Sequence, residues 1–141
     1  MKIAVDGMGG DHAPYEIVKG AVDAARQFGV GIILVGPEEI LKKELALYDC
    51  SGLDIEVVHT DEYLIEGEQP AFAMRKKRNM SIALATRLVK EGKADAVVGA
   101  GPTGGVVIAA LQYLGTVEGI SRPVTGGAFL QFAPQTLMMD L

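Results

Sequence analysis

The first stretch of the sequence that could do chemistry is a glycine-rich turn carrying an acid and an imidazole. Three glycines at positions 7–10 follow a short apolar strand, and Asp11 and His12 come shortly before Pro14. Glycine lets the backbone approach a ligand closely, proline suits the first position of a helix, and a helix N-terminus attracts anions. The spacing predicts a strand-to-helix turn where an acid, an imidazole and N–H groups converge. Asp11 or His12 could equally serve only as a helix cap.

A second glycine-rich loop occupies residues 99–105, with the sequence Gly-Ala-Gly-Pro-Thr-Gly-Gly. It follows a predicted strand and precedes a predicted helix, so its N–H groups and the helix N-terminus together favour an anion, to which Thr103 could add a hydroxyl. The loop also fits the dinucleotide pattern G-x-G-x-x-G. That fold needs an acid at the end of the next strand, whereas Glu118 falls in a predicted loop. A plain strand-to-helix turn is the third interpretation.

One basic cluster stands out, Arg75-Lys76-Lys77-Arg78, followed by Asn79. Short runs of charge usually face solvent and have no further role. A nucleic-acid interface fits poorly, because the net charge of the chain is −5. We therefore predict no nucleic-acid partner.

Other kinds of reactive site are weakly represented. Asp6, Asp11 and His12 could ligate a metal in principle, but three such groups on one turn are more often caps and hydrogen-bond partners, and we predict no metal. Cys50 is the only cysteine, which excludes a disulfide framework and a cysteine metal cluster. The sequence contains neither a Gly-x-Ser-x-Gly elbow nor a lysine P-loop.

The elements that must position these residues alternate between strands and helices. Strands are predicted at 3–5, 32–35, 55–58, 94–98, 123–131 and 136–141. Helices are predicted at 17–28, closed by Gly29, and at 37–48, 71–77, 81–91 and 106–114. Strands that are apolar throughout are typical of a parallel sheet covered on both faces, so the pattern indicates an α/β domain with a mainly parallel sheet. Ligands bind at the carboxyl ends of such strands, where both glycine-rich stretches lie.

Composition sets the outer bounds. The 141 residues, 49% hydrophobic and 22% charged, suffice for a single globular domain, which we predict over residues 1–141. The sequence shows no membrane-spanning run and no signal-peptide pattern, so we expect a cytoplasmic location. The sequence ends at Leu141, at the predicted carboxyl end of a strand. Because ligands bind at the carboxyl ends of such strands, we expect part of the site to lie beyond that point.

Two signatures resemble those of the bacterial phosphate acyltransferases of phospholipid synthesis, the PlsX family. The first is Met-Gly-Gly-Asp-His-Ala-Pro at 8–14, and the second runs from Lys90 through the glycine loop, with a related stretch at 114–123. The family usually carries Asn where this chain has Pro102 and Ser where it has Gly99. Proline removes one N–H donor and a polar side chain from the loop. The resemblance covers nearly the whole chain, which is similar to the N-terminal portion of longer family members.

The resemblance implies a truncated three-layer α/β sandwich like that of the isocitrate and isopropylmalate dehydrogenases. It implies transfer of a fatty acyl group from acyl carrier protein to inorganic phosphate, giving acyl phosphate, with no metal or organic cofactor. Such an enzyme binds phosphate, orients it against the thioester carbonyl and stabilises the oxyanion. A homodimer and peripheral membrane association are further expectations from the family.

The resemblance also implies roles for particular residues. Phosphate would be bound by Gly101, Thr103, Gly104 and Gly105. Polar positioning or proton transfer would fall to Asp11 and His12. The substrate cleft would include Asp6, Gly9, Gly10, Arg78, Asn79 and Ser81, and the carrier protein would dock on Arg75, Lys76 and Lys77. The alternative is a non-catalytic α/β module that keeps only a phosphate or nucleotide pocket, which Pro102 favours.

Overall fold

The computed structural model describes residues 1–65, 67–121, 123, 126–129 and 137–139. Over these residues the strands are β1 (Lys2–Asp6), β2 (Gly31–Gly36), β3 (Ile55–His59), β4 (Ala96–Val98), β5 (Gly126–Phe129) and β6 (Leu137–Met139). The helices are α1 (Tyr15–Phe28), α2 (Glu38–Leu45), α3 (Pro70–Lys76), α4 (Ser81–Lys90) and α5 (Thr103–Tyr113).

The first four strands form a parallel sheet in the spatial order β3-β2-β1-β4. β1 lies inside the sheet, where Asp6 pairs with Val35 of β2 and Val5 pairs with Val98 of β4. This order places the carboxyl ends of β1 and β4 side by side, although the two strands are about ninety residues apart in the sequence. The glycine-rich stretches that follow these two strands therefore meet at one edge of the sheet.

Helices cover both faces of the sheet, because successive strand residues point to opposite sides. On one face, alternate strand residues pack against α4 in a cluster of Ala4, Ile33, Val35, Ala85, Leu88 and Ala94. On the other face, α1 and α2 contribute to a cluster of Val18, Ala21, Ala25, Ile32, Leu34 and Leu41. The predicted α/β architecture with helices on both faces of a parallel sheet is confirmed.

Two helix ends show why the chain turns where it does. Gly29 adopts a left-handed conformation, with φ of 63°, and donates its N–H to the carbonyl of Ala25, which confirms the predicted cap of α1. Gly92, with φ of 70°, donates to Val89, while the next N–H returns to the carbonyl of Leu88. This pair of bonds is the Schellman ending of a helix, and it directs the chain from α4 into β4.

Several boundaries differ from the sequence-based prediction. α2 ends at Leu45 rather than at Tyr48, and β4 is shorter than predicted, because the N–H of Ala94 still bonds to α4. α5 begins at Thr103 rather than at Val106, since threonine and two glycines can form a first helical turn without contributing to an apolar pattern.

At the C-terminal end, β5 and β6 form a separate antiparallel pair. The other residues of the predicted strands 123–131 and 136–141 lie outside the described residues, apart from residue 123, which belongs to no strand. Within the described part of the chain, no helix has both the length and the apolar character needed to cross a membrane.

Candidate functional site

A cleft of about 330 Å³ lies at the carboxyl edge of the sheet, where the two glycine-rich turns meet. The turn after β1 forms one wall, and the turn between β4 and α5 forms the other. The residues that line the cleft are Met8, Gly10, Asp11, Leu64, Ala100, Gly101, Pro102 and Thr103. The cleft therefore brings together residues from both predicted stretches.

The two turns touch through their backbones, which explains their glycines. A Cβ on Gly9 would stand 2.6 Å from Oδ2 of Asp6 and 2.9 Å from the nitrogen of Gly101. A Cβ on Gly101 would stand 3.3 Å from the Cα of Gly9. Gly10 has a φ of 114°, and its Cβ would stand 3.1 Å from the carbonyl oxygen of Ala100. Side chains at these positions would push the walls of the cleft apart.

The start of α5 leaves backbone N–H groups without partners, within the described part of the chain, at the edge of the cleft. Pro102 precedes the helix as its cap residue, and no side chain caps this end. The N–H groups of Gly101, Thr103 and Gly104 meet no acceptor among the described residues, whereas the N–H of Gly105 donates to the carbonyl of Pro102 at 2.8 Å. Unpaired N–H groups at the positive end of a helix dipole attract an anion.

Asp11 and His12 differ in their position relative to the cleft. Asp11 lines the cleft, whereas His12 is exposed and is not among the lining residues. Neither of them caps α1 through its side chain, since the cap residue is Pro14 and no side-chain bond is made there. The cap interpretation of these two residues is therefore wrong. Pro14 was predicted to be the first helical residue, but it is the cap residue, one position before the first helical residue, Tyr15.

Asp6 and Ser81 lie behind the cleft rather than in its wall. Asp6 is 4% exposed and Ser81 is 1% exposed. Oδ1 of Asp6 accepts the N–H of Met8 at 3.1 Å. Burial raises the pKa of the Asp6 carboxyl, while the Ser81 hydroxyl and the N–H groups of Met8 and Gly9 act in the opposite direction. The hydroxyl lies close enough to have this effect, but its oxygen makes no hydrogen bond of regular distance and angle within the described part of the protein.

The basic segment lies beside the cleft. Pro70, the first residue of α3, packs 3.6 Å from the position that a Cβ on Gly104 would take. The seven residues of α3 span about 10 Å, so its basic end lies at most about that far from Pro70. Arg75, Lys76 and Arg78 are exposed, and Nζ of Lys76 lies 4.6 Å from the ring centroid of Phe72.

Lys77 is engaged differently from its basic neighbours. Its ammonium group donates to the carboxylate of Glu68, at 2.7 and 2.9 Å, and to the carbonyl of Tyr63 at 3.2 Å. These bonds fasten the chain that leads to Leu64, which lines the cleft, to the end of α3. Leu64 had no sequence signal, because it lies in an irregular acidic stretch and reaches the cleft through these long-range bonds.

Asn79 connects neighbouring segments through hydrogen bonds and is not part of the cleft wall. Its N–H donates to Glu62 at 2.7 Å, and its carbonyl accepts the hydroxyl of Thr60 at 2.6 Å. Its side-chain oxygen accepts from Arg87 at 3.3 Å. Arg78 also lies outside the lining, and its carbonyl accepts the hydroxyl of Tyr113 at 3.5 Å. These residues support the loop that closes one side of the cleft.

The alternative chemistries find no support in the described residues. No strand follows α5 between residues 114 and 121, and Glu118 lies in a turn, so the context of a dinucleotide site is missing. No group of three His, Cys, Asp or Glu side chains within this part of the chain could hold a metal ion. His59 has a structural role, because its Nδ1 accepts the N–H of Glu38 at 3.3 Å at the start of α2.

The sequence matches the model of a family described as "Fatty acid synthesis protein" over residues 1–141. A protein named phosphate acyltransferase from Moorella thermoacetica is 51% identical over 141 residues, which is 100% of this chain and 41% of that protein. The protein of the same name from Pelobacter propionicus is 47% identical over 141 residues, with the same coverage. A third, from Desulforamulus reducens, is 53% identical over 123 residues, which is 87% of this chain and 37% of that protein.

Among solved structures, the chain is similar to EutD phosphotransacetylase from Staphylococcus aureus, with a TM-score of 0.60 and 25% identity. That match covers 89% of this chain and 41% of the other. The chain thus spans about two fifths of the length of the relatives that it matches, over their N-terminal portion.

Proposed function

The chain belongs to the fatty acid synthesis protein family, the PlsX phosphate acyltransferases that its two signatures predicted, and we propose from this premise that it forms the phosphate-binding part of such an acyltransferase. The proposed reaction moves a fatty acyl group from acyl carrier protein to inorganic phosphate and so provides acyl phosphate for phospholipid synthesis. The relatives that carry this name are longer than the chain, so the complete reaction is part of the proposal.

The observation that carries the proposal is the cleft between the two glycine-rich turns at the start of α5. Phosphate would accept the N–H groups of Gly101, Thr103 and Gly104, with the Thr103 hydroxyl as a further donor. Gly105, which was predicted to bind phosphate, is buried outside the lining of the cleft, and its N–H is already bonded to the carbonyl of Pro102.

In the proposed step, a phosphate oxygen attacks the thioester carbonyl carbon and a tetrahedral oxyanion forms. Collapse of the oxyanion breaks the carbon–sulfur bond, which releases the carrier protein as a thiolate and leaves the acyl group on phosphate. The protein accelerates this step by holding phosphate in line with the carbonyl and by stabilising the developing negative charge. Asp11, in the cleft wall, would orient phosphate or exchange a proton with it. His12, which is exposed and follows Asp11 in the sequence, is the second candidate for proton transfer.

The exposed basic residues beside the cleft are the proposed docking surface for acyl carrier protein. Arg75, Lys76 and Arg78 are free to meet an acidic partner, because all three are exposed and the part of the chain that is described gives them no ion pair. Lys77 would support this surface indirectly, through its bond to Glu68. Complementary charge of this kind mainly raises the association rate.

The test is phosphate-dependent release of free carrier protein from its palmitoyl form, with acyl phosphate trapped by hydroxylamine. The enzyme for this assay is a chimera in which the chain replaces the matching N-terminal portion of the Moorella thermoacetica relative. We expect thiol release that requires phosphate and yields the hydroxamate. Thiol release that is independent of phosphate would contradict the proposal.

The same assay separates the second candidate, a non-catalytic phosphate-binding module. Two observations favour that candidate: among its described lining residues the cleft has no Lys or Arg, and Pro102 lacks an N–H. Phosphate binding by the chimera without any acyl transfer would support the module and refute the acyltransferase.

A cytoplasmic location, a homodimer and peripheral membrane association complete the proposal. They are supported by the family membership alone. Sedimentation equilibrium of the chimera and flotation with phospholipid vesicles test the last two directly. A monomer that stays with the aqueous fraction would contradict both.

A further inference from the structure

Two buried polar side chains follow from the fold, Asp6 at the end of β1 and Ser81 at the start of α4, and the Ser81 hydroxyl has no hydrogen-bond partner among the described residues. Both side chains are more than nine-tenths buried, and neither lines the cleft. Burying a carboxyl group is unfavourable unless its oxygens are hydrogen-bonded, and interior strand positions are usually apolar. A buried acid at this point therefore requires an explanation beyond packing.

The carboxyl group holds the turn that forms one wall of the cleft. Oδ1 accepts the N–H of Met8 at 3.1 Å, and the N–H of Gly9 also acts on the carboxyl. Oδ2 of Asp6 and the nitrogen of Gly101 both lie within 3 Å of the position that a Cβ on Gly9 would take. A displacement of the carboxyl would therefore move Gly9, and with it the N–H of Gly101 that we assign to phosphate.

The Ser81 hydroxyl is able to hydrogen-bond to this carboxyl group whether the group is charged or protonated. A hydroxyl donates to a carboxylate and accepts from a carboxylic acid. The other neighbours carry no charge: Val35 on β2 pairs with Asp6, Val98 ends the part of β4 that pairs with β1, and the first turn contributes Met8 and Gly9. No charged side chain is among the groups that shift the pKa of Asp6, and the titratable residues that follow it on the same turn are Asp11 and His12.

We propose that Asp6 is a positioning residue for the anion cleft and that Ser81 is its partner. Asp6 holds Gly9 against Gly101, and loss of its negative charge strengthens anion binding in the cleft. The first statement concerns the turns alone. The second rests on the proposed function, because it requires that the cleft take an anion.

Two substitutions separate the hydrogen bond from the charge. Asp6→Asn keeps an oxygen that accepts the N–H of Met8 and removes the charge, and its amide can donate to Ser81. Asp6→Leu keeps the same branched arrangement of heavy atoms, with a somewhat larger volume, and removes both. Asp54→Asn is the matched control, because it removes the same charge from an exposed position at the opposite edge of the sheet.

The first measurement follows the amide resonances of Gly9 and Gly101 in each folded variant and needs no ligand. We expect Asp6→Asn to keep both resonances near their parental positions and Asp6→Leu to shift both. Parental resonances in folded Asp6→Leu would overturn the positioning role.

The second measurement is the affinity for sulfate by calorimetry from acid, at a pH below the ordinary pKa of an aspartate side chain, to mildly basic pH, because sulfate keeps its charge over that range. The parent and Asp54→Asn should bind more weakly as pH rises. Asp6→Asn should have a flatter profile and bind about threefold more tightly at the basic end. Parallel profiles for all three proteins would overturn the charge effect. Absence of sulfate and phosphate binding in every protein would refute the proposed function, and the amide resonances would still decide the positioning role.

Ser81→Ala provides the decisive variant if Asp6→Leu does not fold. Because the hydroxyl lowers the pKa of the Asp6 carboxyl, its removal should move the midpoint of the sulfate profile to higher pH. An unchanged midpoint would show that the two side chains are not coupled and would overturn their partnership.

Discussion

Gly9→Ala should damage both the stability of the protein and its cleft. The added methyl group would stand 2.6 Å from a carboxylate oxygen of Asp6 and 2.9 Å from the nitrogen of Gly101, well inside the 3.4 Å at which ordinary contact begins. Neither neighbour can yield easily, since Asp6 is buried and the other atom belongs to the backbone. The φ of Gly9 is not positive, so the effect would come from contact alone.

The expected size of the effect follows from overpacking in a closed interior. An extra methyl group in such a place lowers the free energy of unfolding by about 1–3 kcal/mol, and we expect about 2 kcal/mol for Gly9→Ala. The two turns would also separate, so phosphate binding should weaken in the fraction that folds.

Gly104→Ala is the matched control for the added methyl group, because it makes the same substitution in the first turn of α5. Its Cβ would meet nothing closer than Pro70, at 3.6 Å, and alanine favours the first turn of α5 over glycine by up to about 1 kcal/mol. Urea unfolding followed by circular dichroism gives the stability of both variants, and calorimetry gives their phosphate affinity.

The reasoning would be refuted if Gly9→Ala unfolded within about 0.5 kcal/mol of the parent and kept the parental phosphate affinity. The same conclusion would follow if Gly104→Ala proved the more damaging of the two, because the contacts predict the opposite order.

Three further outcomes are expected. Pro102→Asn should stabilise α5 by about 1 kcal/mol and tighten phosphate binding, because asparagine is a strong N-cap and restores an N–H; calorimetry showing weaker binding would contradict this. Reversing the charge of Arg75 and Lys76 together should slow association of acyl carrier protein with the chimera and flatten its salt dependence in stopped-flow measurements, and an unchanged rate at low salt would reduce the cluster to a solvated face. Glu68→Gln should destabilise the protein near neutral pH but not in acid. The bond to Lys77 holds the pKa of Glu68 below its usual 4.5, so the stabilisation is present above that value and is lost as pH falls; a pH-independent difference in urea unfolding would argue against it.

The sheet could be predicted because its signals are local. Apolar runs such as Ile32–Val35 and glycines at helix ends such as Gly29 each specify a short piece of backbone. The parallel direction of the strands follows from the alternation of strands with helices. The meeting of the two glycine-rich stretches could also be expected, since both follow strands whose carboxyl ends lie at one edge.

The rest of the site depends on contacts between distant parts of the chain, which no local pattern carries. Leu64 lines the cleft in a segment that is fastened by the bond from Glu68 to Lys77, nine residues later, and by packing against the cluster that includes Met74 and Met80. Asp6 was expected in the cleft, but the pairing of β1 on both sides buries it behind the turn. Lys77 was expected on the docking surface with its neighbours, and the structure shows its ammonium group bonded to Glu68.

The most direct test of the phosphate site is an amide-resolved NMR titration of the chain with inorganic phosphate. We predict saturable shifts for the N–H groups of Gly101, Thr103 and Gly104, because these donors are unpaired at the positive end of α5 within the described structure. Saturable shifts confined to the basic segment at 75–78, or no saturable shift in the second glycine-rich turn, would contradict the assignment of phosphate to this cleft.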